Sequence, residues 1–262
     1  MNRTRNAITF SGSLLFLAAI LAHAEPGAAG QKLIAGDAAT YDGFGRSVAF
    51  ADSGNTLLVG ADRSDTGVTT DSGSVYLFRR TLDGSFSQDK KFTIPGSADG
   101  LSFGFALALS DTGDTALIGA PGAGFDKGAA FVFVQAVDES WSSLQLVPPD
   151  AADWDEFGSA VALSLDGNTA LVGAPKDDTP GGGDAGSAHV WGRELDGSWT
   201  HQEQLFAPDG AAIDVFGSAV ALSTTGNTAL VGAPQDDTAS GFTVGSAHVF
   251  LSILSPFQNR WY

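Results

Sequence analysis

The chain has 262 residues, no cysteine, and a formal charge of −17 from 30 acidic against 13 basic side chains. That balance argues against nucleic acid and anionic membrane surfaces as partners, because both require basic patches. It favours cationic partners, divalent ions or plain solubility, and the missing thiols exclude disulfide stapling and thiol chemistry.

Residues 1–24 read as a secretory leader. Arg3 and Arg5 form a basic start, Leu14 to Ile20 an apolar stretch, and Ala22-His23-Ala24 a small-x-small cleavage site. The apolar stretch is shorter than the about 20 residues a membrane span needs, and no later segment is long and apolar enough. Cleavage after Ala24 would remove Arg3 and Arg5 and take the charge from −17 to −19. The expected location is periplasmic, cell-surface or secreted. Residues 25–262 are expected to form one domain.

From Lys32 onward the chain writes one block four times, in units of about 32–91, 92–146, 147–205 and 206–252, with an atypical tail at 253–262. Each block opens on Phe-Gly: Phe44-Gly45, Phe103-Gly104, Phe157-Gly158 and Phe216-Gly217. Fifteen residues after each of those glycines comes Gly-Ala, followed by Asp62, Pro121, Pro175 and Pro234 respectively. The Phe-Gly pairs are 59, 54 and 59 residues apart, a period that means a repeat architecture.

Within the third unit, strand-like runs cover 159–164, 169–174, 186–192 and 199–206, and turn residues separate them. Asp166-Gly167-Asn168 and Asp196-Gly197-Ser198 mark tight hairpins. No sustained helical period appears, so the chain is expected to be all-β. The first two runs, Ser159–Leu163 and Thr169–Ala174, are small and apolar on both faces. Both faces should therefore be covered by neighbouring sheets. Four-stranded antiparallel sheets packed between others like themselves describe a β-propeller.

These Phe-Gly … Gly-Ala-Pro blocks, with Gly73–Phe78 and Gly186–Trp191 following two of them, resemble FG-GAP repeats. Such repeats build the integrin α-subunit propeller and many bacterial exported proteins. The resemblance covers residue 32 to about 250. Calcium-binding members of that family carry an Asp-x-Asp-x-Asp-Gly loop between the two motifs. Here that position holds only a short turn such as Leu165–Asn168, whereas calcium takes about six to eight oxygen ligands. The resemblance therefore does not bring calcium with it, and no cofactor is expected.

Gln31–Ala35 resembles the fourth strand Gln204–Ala207, and the last unit lacks a fourth strand before its tail. Swapping the N-terminal strand into the last blade would close four blades into a ring; the alternative is a partial propeller. In an up-and-down meander, the loops between second and third strands share a face with the linkers between units. That face gathers more than half of the 30 acids.

Its sharpest element is Asp177-Asp178-Thr179 and Asp236-Asp237-Thr238, echoed by Asp65-Thr66. Asp65, Asp177, Asp178, Asp236 and Asp237 are candidates for ligand or cation binding; as turn caps they would instead serve the backbone. His189 and His248 share a column with Tyr76 and Phe131, so a packed flat ring is expected there, and His201 stands apart beside a turn. No nucleophile elbow, His-Glu-x-x-His or phosphate loop appears. The expected function is an exported, non-enzymatic, adhesion-type module that binds a protein or glycan through the acidic loops. The alternatives are a divalent-cation-binding propeller using the Asp-Asp-Thr loops and, behind it, a hydrolase with scattered carboxylates.

Overall fold

Short apolar runs divided by Gly-Asn, Gly-Asp and Asp-Gly turns fold into hairpins, and the hairpins assemble into four sheets. The computed structural model describes residues 30–67, 69–96, 98–254 and 259–261, so the leader expected at 1–24 lies outside the described residues. The first sheet holds β1 (Val48–Phe50), β2 (Thr56–Ala61), β3 (Ser74–Arg80) and β4 (Phe86–Phe92). The second holds β5 (Ala106–Leu109), β6 (Thr115–Ala120), β7 (Ala129–Gln135) and β8 (Trp141–Leu146). The third holds β9 (Ala160–Leu163), β10 (Thr169–Ala174), β11 (Ser187–Arg193) and β12 (Trp199–Leu205). The fourth holds β13 (Ala219–Leu222), β14 (Thr228–Ala233), β15 (Ser246–Leu254) and β16 (Asn259–Trp261). Every sheet is an antiparallel meander in chain order, which is the blade of a propeller.

The blades stack because their middle strands are apolar on both faces. All six residues of β2 and of β6 are buried. Leu58, Val75 and Leu77 of the first blade meet Phe103, Ala116, Ile118 and Phe131 of the second. The same layer recurs between the second and third blades and between the third and fourth. The innermost strands β1, β5, β9 and β13 contact one another in sequence.

Glycine permits this closeness. A Cβ on Gly173 would lie 2.0 Å from the Gly217 carbonyl oxygen, and one on Gly119 would lie 2.0 Å from that of Gly158. In the first three units the glycine of Gly-Ala thus receives the backbone of the next Phe-Gly. Gly186 is at φ +85, and its added Cβ would fall 2.1 Å from the Phe216 oxygen. Gly232 in the last blade meets nothing nearer than the Ala219 Cβ at 3.6 Å.

That contrast marks an open arc. Among the described residues the first and last sheets do not close on one another. Val48 and Phe50 of β1 are 68% and 60% exposed; in the last blade Leu230 and Val249 are 45% and 61% exposed. The expected swap is corrected here. Residues 30–35 carry no strand, and the fourth strand of the last blade is β16, from the tail, paired with Ser252–Leu254. Leu33 and Ala35 instead pack with Leu57, Val59 and Phe78 of the first blade. Gly36 N–H donates to Gln88 Oε1 at 2.8 Å, which anchors the segment there.

Candidate functional site

The loops between second and third strands and the linkers between blades are stitched together by their backbones. Ser102 N–H donates to Asp71 O, Glu156 N–H to Asp126 O, and Val215 N–H to Asp184 O. In three of the four segments one acid folds the chain locally: Asp42, Asp155 and Asp214 accept from the N–H three residues earlier at 2.6–2.7 Å and are buried.

The five candidate aspartates divide into two kinds. Asp65, Asp178 and Asp237 accept the N–H of Asp71, Asp184 and Thr243 across their own loops, at 3.0, 3.0 and 2.6 Å. Such side chain–backbone bonds fix a turn. All three remain exposed and give the rim of the face its charge. Asp177 and Asp236 turn inward and are 5% and 7% exposed.

Asp177 belongs to a polar cluster in the third blade. Gln204 Nε2 donates to Asp150 Oδ2 at 2.7 Å and to Asp177 Oδ2 at 2.9 Å. The fully buried His189 sets its Nε2 3.0 Å from Ser187 Oγ and 4.0 Å from Asp177 Oδ2. Its Nδ1 lies 3.1 Å from His201 Nε2. His189 also packs edge-on against Phe157, its own blade's Phe-Gly ring, as the column of rings implies. Phe44–Tyr76, Phe103–Phe131 and Phe216–His248 repeat that contact.

His201 does not stand apart. Gln204 and His201 are three residues apart on β12 and would face opposite ways in a regular strand. A bulge at Val190/Trp191 leaves Gln202 as the extra residue and brings both side chains to the His189 side. Burial pushes Asp177 up to about 6; Ser187 and Gln204 hydrogen bonds oppose this, and the Asp150 and Asp155 charges add to it. Burial pulls His189 down to about 4 and lowers His201 as well. Sequence reading missed Asp150, Ser187, His201 and Gln204. The detectable signal was a fourth strand whose polar residues break the two-residue alternation.

The opposite face differs. Its first hairpin turns line an open depression with Asp111, Asp114, Leu165, Asp166 and Thr225.

The sequence matches the FG-GAP repeat over residues 29–78, 141–191 and 199–250. The chain belongs to the FG-GAP repeat family. The second copy of the block, with its short Gly122–Gly128 loop, falls largely outside those matches. Among curated proteins nothing matches significantly. Solved structures resemble this FG-GAP chain in fold. One, from Bacteroides uniformis, is assigned as a 6-phosphogluconolactonase and is 11% identical over 83% of this chain and 55% of its own, with a TM-score of 0.52. Others are Sqt1 from Chaetomium thermophilum (16%, 80% and 44%, TM-score 0.48) and a periplasmic gluconolactonase from Pseudomonas aeruginosa (16%, 82% and 70%, TM-score 0.41). The chain spans about half the length of the first two. At such identity the likeness concerns the fold, and fold does not fix function.

Proposed function

We propose that this FG-GAP propeller is an exported, non-enzymatic interaction module that engages a protein or glycan through its acidic loop face. The supporting observation is the rim formed by Asp65, Asp178 and Asp237, each held by a backbone N–H of its own loop. Preset, exposed carboxylates suit recognition of basic side chains or sugar hydroxyls, because little ordering entropy is lost on contact. The leader read at 1–24 supports export, and among the described residues no helix is long and apolar enough to cross a membrane.

Capture of the purified chain on a glycan array and on immobilised polylysine tests this reading. Asp65→Asn, Asp178→Asn and Asp237→Asn together should abolish capture. The matched change at Asp83, Asp138 and Asp196, which cap hairpins on the other face, should leave it intact. Equal capture by both triple variants would remove the loop face from consideration.

A further inference from the structure

The cluster around His189 occupies a position that the first blade also builds, with different chemistry. Counted from the motifs, Asp150, Asp177, His189 and Gln204 correspond to Asp37, Ser64, Tyr76 and Lys91. In the first blade Lys91 Nζ binds Asp37 Oδ2 at 2.6 Å, Tyr76 Oη donates to Asp37 Oδ1 at 2.8 Å, and the ammonium lies 5.3 Å from the Tyr76 ring centre. A built-in cation fills that position. In the third blade Gln204 replaces the lysine, a second carboxylate replaces a hydroxyl, and an imidazole replaces the phenol. The first blade's set is neutral; the third blade's carries two carboxylates and no cation.

We propose that the third blade holds a divalent transition-metal ion, with Asp150, Asp177 and His189 Nε2 as its protein ligands. Oxygens of the two carboxylates and the imidazole nitrogen all lie within 4.8 Å of one another. Zinc ligands sit about 2.0–2.2 Å from the ion, so the three need to close by about 1 Å. Asp150 is exposed and can make that movement; it also provides the entry path from the loop face. The Gln204 amide, now bridging both carboxylates, offers its oxygen as a fourth ligand once rotated.

The outer partners suit a metal as well. With His189 protonated at Nδ1 and donating to His201 Nε2, its Nε2 is left without a proton beside Ser187 Oγ at 3.0 Å and Asp177 Oδ2 at 4.0 Å, the arrangement that orients metal-binding imidazoles. The site is particular to this blade. The second blade has Gly96, Ala123, Phe131 and Gln145 at these positions. The fourth repeats Asp209, Asp236 and His248, but among the described residues only the third blade's donors converge. Imidazole with carboxylates favours zinc or manganese over calcium.

Calorimetric titration of the purified chain with zinc chloride, paired with thermal melting, tests the site. Wild type should bind one equivalent and melt higher, since a ligand of the folded state raises the midpoint. Gln204→Lys restores the first blade's ammonium; it should fold with an undiminished midpoint and bind zinc about 10–100-fold more weakly. Asp177→Asn should lose the response too, and calcium should give none in any form. An unchanged wild-type midpoint at about 1 mM zinc, a Gln204→Lys response equal to wild type, or calcium acting as strongly as zinc would each overturn the site.

Discussion

Leu171 and Leu230 form a matched pair set up by the repeat. Leu171 on β10 lies between Ala162 and Val190; Leu230 on β14 lies between Ala221 and Val249. Residue type, strand and neighbours are the same, yet Leu171 is 0% exposed and Leu230 is 45% exposed. The difference is the next blade: Phe216, Ala229, Val231 and Phe250 cover Leu171, and among the described residues no sheet covers Leu230.

Leu→Ala removes about three carbon groups, worth about 0.8 kcal/mol each when fully buried. A closed cavity adds to that, giving about 3–4 kcal/mol for Leu171→Ala. Leu230→Ala loses roughly half the transfer contribution and leaves no enclosed void, so about 1 kcal/mol. Urea unfolding at fixed protein concentration measures both from the midpoint and slope. Equal losses at the two positions would refute the open arc. The outer face of the last blade would then be covered, by ring closure if the midpoints ignore concentration and by a second copy if they rise with it.

Glycine gives a second matched pair: Gly173→Ala should cost roughly 2–3 kcal/mol by driving the Gly217 backbone away, whereas Gly232→Ala should be neutral or gain up to about 1 kcal/mol in the same unfolding assay. Asp155→Ala removes the buried acceptor of the Ala152 N–H and should lower stability by about 1–2 kcal/mol, with Asp83→Ala, an exposed cap, costing less. Asp177 supplies a pH signature. Its folded pKa of about 6 lies above the ordinary 3.8, so its contribution is fully present below pH 3.8 and is lost as pH rises through 6. Asp177→Asn should therefore gain on wild type between pH 4 and 7, by up to about 3 kcal/mol, measured in metal-free buffer. A constant difference across that range would show Asp177 to be free of its burial.

The repeat was legible in the sequence because its physics is backbone physics. Gly104, Gly158 and Gly217 are required where one blade's backbone meets the next, and apolar runs such as Thr169–Ala174 are required where two sheets cover one strand. Both requirements recur at each of the three blade–blade junctions, so both appear as a period. The blade ends were less legible. Gln31–Ala35 does look like a fourth strand, but its Leu33 and Ala35 also fit the first blade's outer face, and local packing decided between the two. β16 carries no repeat signature and could not be anticipated.

The His189 cluster was hidden for a different reason. Its members come from a linker, a loop and two strands, and the bulge that aligns His201 with Gln204 has no motif of its own. A constellation built from departures within a repeat becomes visible only when the units are superimposed position by position. Lys91 against Gln204 is then the informative difference, because losing a built-in cation while gaining Asp177 leaves a charge that either neutralises itself or recruits a partner. The raised pKa of Asp177 is the first response, and zinc binding would be the second. The two separate in one measurement: if zinc occupies the cluster, the metal holds Asp177 ionised, and the gain of Asp177→Asn between pH 4 and 7 should vanish in saturating zinc while persisting in its absence.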